Sequence, residues 1–321
     1  MKSLLNGWIP ENLRILRRRM FGPSQVEFEK LGASFSDELS VLRRQLEDVR
    51  ALSAGEKNFA KQLATFELLA FEHPNIFKTS DATPSLTTPE VSIIMPAWNR
   101  CGTINASIRS VQAQTLQDWE LIIVDDGSTD GTAAAVASFS HDQRIHYLRQ
   151  EHAGQCAARN LALGASKAEL IAYLDSDNLW YPSYLAGAVA AFSAMPNVDC
   201  AYGAAVSSWH GPGFLLFEEF DRDRLLLGNF IDLSTFIHRR RLLTIYGGFD
   251  ERLKCLEDWD LILRYTEHAK AYRLPFLAVR YREIADNRVS DYQAPWLKDD
   301  IATIVAKWTA NKPGEISKTS T

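Results

Sequence analysis

Three acidic clusters in this 321-residue chain have the residue types and spacing for chemistry. In Asp175-Ser176-Asp177 two carboxylates stand two residues apart and can face a common point. Hard divalent cations such as Mg²⁺ or Mn²⁺ accept a few protein oxygens and share the rest with phosphate. Asp and Ser are also ordinary turn residues, so the local pattern leaves a plain turn open. In Asp125-Asp126-Gly127-Ser128-Thr129-Asp130-Gly131-Thr132, Asp126 could accept a hydrogen bond from a base N–H or a ribose hydroxyl, and Asp130 or Thr132 could cap a following helix. Glu257-Asp258-Trp259-Asp260 precedes the apolar residues Leu261, Ile262, Leu263 and Tyr265. Acidic residues there either complement the positive end of a helix or supply a general base, and the local sequence does not choose.

These clusters follow a regular framework. β-branched runs at Val91–Met95, Glu120–Val124, Ile145–Leu148 and Leu170–Leu174 alternate with helical patterns around Ile104–Gln114, Thr132–Phe139 and Gln155–Ala165. Such alternation predicts an α/β sheet with helices on both faces. Ligands of such sheets bind beyond the C-terminal strand ends. The polar segments Pro96-Ala97-Trp98-Asn99, Asp125–Ser128 and Asp175–Asp177 stand there.

Before residue 91 the texture differs. Residues 1–78 read as a helical extension and residues 79–90, with two prolines among Ser, Thr and Asp, as a linker. Ile9, Leu13, Leu16 and Met20 share one helical face beside Arg14, Arg17, Arg18 and Arg19, which makes residues 1–20 a candidate for peripheral contact with an anionic membrane. Phe35, Leu39, Leu42, Leu46 and Val49 form a short heptad stripe, a candidate homodimer contact or a face packed on the rest of the chain.

Composition narrows the classes. With 46% apolar and 23% charged residues the chain is neither disordered nor fibrous. Its net charge of −5 argues against a general nucleic-acid binder. Cys101, Cys156, Cys200 and Cys255 are scattered, without a CxxC pair, so reduced thiols and a cytoplasmic location are expected. Neither an apolar run of about 20 residues nor a secretion signal is read. His152, His210, His238 and His268 are scattered singly and read as core or surface residues. Arg239-Arg240-Arg241 reads as a solvated helix start.

The order and spacing of VSIIMPAWNR, DWELIIVDDGSTDGT, GQCAARNLAL, LIAYLDSDNLWYPSYL and YGGFDERLKCLEDWDLILRY resemble the family 2 inverting glycosyltransferases. The resemblance covers about residues 91–290 and leaves 291–321 as a C-terminal helical tail. It implies a GT-A fold, a mixed, mainly parallel sheet sandwiched by helices. It also implies a nucleoside-diphosphate sugar donor (UDP or dTDP), a divalent metal (Mn or Mg), and a carbohydrate or lipid-linked acceptor, as in cell-surface polysaccharide synthesis. Carried over by position, Pro96, Trp98 and Asn99 line the nucleobase pocket, with Arg100 where the family commonly has an acidic residue. Asp126 takes the base edge, and Arg159 and Asn160 lie near base, ribose or diphosphate. Asp177 resembles the direct metal ligand, Asp175 a metal or ribose contact, and Ser176 between them belongs to the donor site. Asp258 resembles the catalytic base, and Arg288 a residue that closes over the diphosphate. Glu257, Trp180, Trp209 and His210 are the acceptor-side candidates, the last two because a Trp face and a flanking His beside Gly211-Pro212-Gly213 can meet a sugar.

Two rival classes remain: a nucleotidyltransferase, which would carry a Gly-rich phosphate loop where Pro96-Ala97-Trp98-Asn99 stands, and a catalytically inactive GT-A-fold carbohydrate-binding protein. A dinucleotide oxidoreductase would need Gly-x-Gly-x-x-Gly after the first strand, which is absent.

Overall fold

The apolar runs become four adjacent strands of one mixed sheet in the computed structural model, which describes residues 88–207, 214–281 and 295–309. Its strands are β1 (Val91–Ala97), β2 (Trp119–Asp126), β3 (Ile145–Gln150), β4 (Leu170–Tyr173), β5 (Leu179–Trp180), β6 (Cys200–Ser207), β7 (Phe214–Leu216), β8 (Phe236–Arg239) and β9 (Tyr272–Arg280). The helices are α1 (Ile104–Gln112), α2 (Thr132–Ala137), α3 (Gln155–Ala165), α4 (Tyr184–Ala194), α5 (Arg222–Leu227), α6 (Arg240–Tyr246), α7 (Glu257–Tyr265) and α8 (Pro295–Thr309). The extension 1–78, most of the linker 79–90, Trp209, His210 and Arg288 lie outside the described residues. No helix among the described residues is long and apolar enough to cross a membrane.

The strand order is β3-β2-β1-β4-β8-β6-β9-β5, with β7 paired to β6. β1 pairs in parallel with β2 and β4, and β2 with β3. The sheet turns antiparallel where β8 lies between β4 and β6. β1 and β2 are almost wholly buried, as expected of parallel strands covered on both faces. Successive side chains alternate between the faces. Ile93, Met95, Leu121 and Ile123 pack with Ile104, Ile108, Val111, Leu185 and Phe276 on one side. Ile94, Ile122 and Val124 pack with Ala158, Ala162, Leu261, Ile262 and Tyr265 on the other.

This topology sets the place of the site. The chain runs from β1 outward through β2 to β3, then returns to β4 on the opposite flank of β1. The connections leaving β1 and β4 therefore diverge at their C-terminal ends, where an open parallel sheet has a crevice. The loops after β1, β2 and β4 all start there.

The arginine run corrects one expectation. Arg240 does begin a helix, but two of the three guanidiniums are tied to main chain rather than left to solvent. Arg239 donates to the Val198 and Phe192 carbonyls, each at 3.0 Å, and Arg240 to the Ala168 carbonyl at 2.6 Å. They satisfy carbonyls at the ends of neighbouring segments, a need that local sequence does not reveal.

Gly187 marks the tightest contact between α4 and β9. A Cβ there would lie 2.6 Å from Phe276 Cζ, and Phe276 is fully buried. Gly187→Ala gains about 1 kcal/mol of helix propensity but overpacks the core by about 1–3 kcal/mol. The ring is fully buried in the core, so the steric cost is expected to win. A lower urea midpoint with unchanged slope checks this; an unchanged or higher midpoint would refute it.

Candidate donor and acceptor site

The loop after β1 is held against the loop after β2. Asn99 has φ 51, a left-handed backbone that a non-glycine residue adopts with strain. Its N–H donates to Ser128 Oγ at 2.9 Å, and its side-chain oxygen accepts from the Thr129 N–H at 2.9 Å. Asp130 accepts from the N–H groups of Cys101 and Thr132. Burial is the largest single influence and raises its pKa, but the Thr132 hydroxyl and those N–H groups together outweigh it and hold it at about 2. Asp130 thus fastens the two loops together.

Asp126 is buried beneath this pair of loops. Its carboxylate accepts from Ala153 N–H at 2.8 Å, Gly154 N–H at 2.9 Å and Gln150 Nε2 at 2.7 Å, and His152 Nδ1 lies 2.8 Å away. In this structure it shapes the loop between β3 and α3. Trp98, 45% exposed, stacks on the His152 ring at 4.6 Å. That places a flat, solvent-facing aromatic surface over the buried carboxylate, a shape on which a base can stack.

Arg159, from the first turns of α3, is the centre of the site. It is 4% exposed, donates to Glu257 through Nη1, and donates to Asp175 Oδ1 at 2.9 Å through Nη2. Burial works against its charge, but the two carboxylates more than offset this and keep it protonated. The next residue, Asn160, faces elsewhere. Its amide donates to the Phe249 carbonyl at 3.0 Å and to Glu251 at 2.8 Å, and it accepts from the Phe249 N–H at 2.8 Å. In this structure Asn160 locks the loop between α6 and α7.

Asp175, Ser176 and Asp177 follow β4. Ser176 is buried, Asp175 and Asp177 are part-exposed, and Arg100 Nε lies 3.5 Å from Asp177. Among the described residues no group of three or more His, Cys, Asp or Glu converges on one point. A cation here would rest on Asp175 and Asp177 and take further oxygens from a diphosphate, a donor set that suits Mg²⁺ or Mn²⁺.

Asp258 is the second residue of α7, one residue beyond Glu257 and two beyond Leu256, whose φ of 58 is also a strained non-glycine backbone. Its Oδ2 accepts from Asn229 Nδ2 at 2.9 Å and its Oδ1 from the Trp259 N–H at 2.8 Å. Burial first, then the charge of Glu257, push its pKa up to about 7. Glu257 itself, an acceptor-side candidate, is buried on Arg159 and supports that side chain. Trp180, another acceptor-side candidate, is buried too. It is 4% exposed, its indole N–H donates to the Ser234 carbonyl at 2.7 Å, and its ring packs on Tyr184.

Asn229, Asp232 and Tyr281 were not among the sequence candidates. Asp232 accepts from the Ser234 N–H at 2.9 Å and from the Tyr281 hydroxyl. Burial, partly countered by that hydroxyl, lifts its pKa to about 6. Asp-x-Ser before a short turn signals a cap, and nothing local says that it stands beside Asp258.

The Glycosyl transferase family 2 model matches residues 92–239. The UDP-Glc:alpha-D-GlcNAc-diphosphoundecaprenol beta-1,3-glucosyltransferase WfgD of Escherichia coli is 44% identical over 214 residues, 64% of this chain and 83% of that protein. A PGL/p-HBAD biosynthesis glycosyltransferase of Mycobacterium bovis is 29% identical over 202 residues, 62% of this chain and 76% of that protein. Staphylococcus aureus TarS 1-349, solved in complex with UDP-GlcNAc, superposes with a TM-score of 0.61 at 22% identity, over 70% of this chain and 68% of that one. The mixed sheet with its covering helices is accordingly the GT-A fold.

Removing Arg159 leaves Asp175 and Glu257 without their shared cation. Breaking a buried ion pair from one side costs about 3–5 kcal/mol. Arg159→Met is expected to lose stability of that order in urea unfolding, and a loss below about 1 kcal/mol would contradict the bridging role.

Proposed function

The chain belongs to glycosyltransferase family 2, and on that premise we propose that it is an inverting, cation-dependent enzyme that transfers glucose from UDP-glucose to N-acetylglucosamine carried on a lipid diphosphate. The observation that carries the donor and acceptor is the 44% identity to the E. coli enzyme across 83% of that protein. The basic amphipathic pattern of residues 1–20 supports peripheral contact with the membrane that would hold such an acceptor.

The chemistry follows from the site. The exposed face of Trp98 receives the uracil, and the loop built on Asp126 bounds the pocket beside it. Asp175 and Asp177 would hold the cation, which when bound offsets the negative charge that grows on the departing diphosphate. Asp258, ionised, removes the acceptor hydroxyl's proton as that oxygen attacks the anomeric carbon from the face opposite the leaving group. Asn229 and the Trp259 N–H hold both carboxylate oxygens, so the base meets the acceptor in one orientation. An ordinary aspartate is a weak base. One lifted to about 7 is about half ionised at neutral pH, and its ionised form accepts a proton more readily.

The test is UDP release and product analysis with UDP-glucose and a synthetic GlcNAc-diphospholipid, with Mn²⁺, Mg²⁺ or chelator. A β-linked glucosyl product is expected; an α-linked product would overturn inversion, and inertness of wild type with every UDP sugar would overturn the donor assignment.

Asp258→Asn is expected to keep UDP-glucose affinity within about twofold while turnover falls on the order of 10² or more. The wild-type rate should fall about tenfold per pH unit below about 7, since protonation disables the base. A variant with full turnover and an unchanged acid limb would remove Asp258 from the role.

Asp177→Ala should abolish cation-stimulated transfer while the fold persists. Calorimetric titration of Mn²⁺ with and without UDP checks this, and an unaltered Mn²⁺ isotherm would refute it.

A further inference from the structure

The C-terminal helix α8 lies beyond the segment matched by the family model, yet its side chains reach the loop that carries Asp258. Asp300 is 5% exposed, and its Oδ2 accepts from two consecutive main-chain N–H groups, Lys254 at 2.9 Å and Cys255 at 2.7 Å. The next residue is Leu256 with its left-handed φ of 58, and then Glu257 and Asp258 begin α7. One turn further along α8 Ile304 is buried in the core beside α7, and Lys307 lies 3.0 Å from Asp260 and pairs with Asp250.

A strained non-glycine backbone persists only where its surroundings over-determine it. At Leu256 the C-terminal side is held by the Glu257–Arg159 pair, and the N-terminal side is held by Asp300. A buried carboxylate taking two adjacent N–H groups fixes both the position and the direction of the peptide planes before the strained residue, as charge-assisted bonds do. Asp299, its neighbour, is exposed on the same helix.

We propose that Asp300 is a positioning residue for the base: by holding the Lys254 and Cys255 N–H groups it keeps Leu256 left-handed and so sets where the Asp258 carboxylate points. The role rests on the reading of Asp258 as the base. It makes α8 an integral part of the reaction centre, though no residue of α8 touches Asp258 directly.

The experiment compares Asp300→Ala, Asp300→Asn and the control Asp299→Ala in the full chain. UDP binding is measured by calorimetry, and turnover by UDP release from UDP-glucose with the GlcNAc-diphospholipid. Displacing a reacting group by about 1 Å costs on the order of 10²-fold in rate. Asp300→Ala is expected to bind UDP with wild-type stoichiometry and with affinity within about twofold, and to lose about tenfold to a hundredfold in kcat. Asp300→Asn keeps an acceptor oxygen without the charge and should lose less, about threefold to tenfold, while Asp299→Ala matches wild type. A folded Asp300→Ala with wild-type kcat overturns the proposal. So does a kcat loss matched by an equal loss of UDP-binding sites, which is the signature of simple unfolding. Should Asp300→Ala not fold, Asp300→Asn is decisive: folded with unchanged kcat, it overturns the role. Asp258→Asn measured alongside separates the two readings. Full turnover there removes the base and this inference together, whereas full turnover confined to the Asp300 variants removes the inference alone.

Discussion

The site depends on one buried guanidinium. Arg159 joins Asp175, at the end of β4, to Glu257, at the start of α7, from its own place on α3. Three segments that share no local sequence therefore meet at one cation. A buried charge is costly unless it is paired and hydrogen-bonded, and here the two Nη groups of Arg159 are each paired with a carboxylate. The same arrangement creates the electrostatics of the crevice. Arg159 is engaged by Asp175 and Glu257, while Asp232 and Asp258 lie near them in low-dielectric surroundings, and both are pushed upward. The acid–base character of Asp258 follows first from its burial and then from the charge of neighbouring Glu257, which Arg159 opposes.

The backbone makes a matching contribution. Among the described residues both left-handed non-glycine ones, Asn99 and Leu256, stand at this crevice, one beside the stacked Trp98–His152 pair and one before the base. Each is braced from the side by hydrogen bonds: Ser128 and Thr129 for Asn99, Asp300 and the Glu257–Arg159 pair for Leu256. Such strain is maintained only by a rigid scaffold, which here is the β1–β2–β4 core of the sheet. The scaffold's topology opens the crevice, and the loops fill it with oriented polar groups.

Much of this was legible before any coordinates. The first four strands and the helix over Gln155–Ala165 follow from apolar periodicity, because a period of 2 or 3.6 residues is imposed by the nearest neighbours alone. The polar loops after β1, β2 and β4 could be placed at one end of the sheet for the same reason. What could not be read was the use of each side chain. Asn160 sits beside Arg159 in sequence, but successive helical residues point about 100° apart, so one enters the crevice and the other pins a distant loop. Trp180 and Glu257 follow the motif pattern yet are buried as supports. Asp232, Asn229 and Asp300 carry no motif, since their significance arises only when the chain brings them beside Asp258 or its loop.

The sequence by itself determined the α/β alternation, the strand ends at which chemistry had to occur, and the acidic residues available there. Only the tertiary structure decided which carboxylate is neutralised, which is left with a raised pKa and which merely holds a loop. Hydrophobic periodicity is a local property of the chain. The charge state of Asp258 depends on its burial first and on Glu257 next, and Glu257 is itself held by Arg159, 98 residues away along the chain and within hydrogen-bond reach in space.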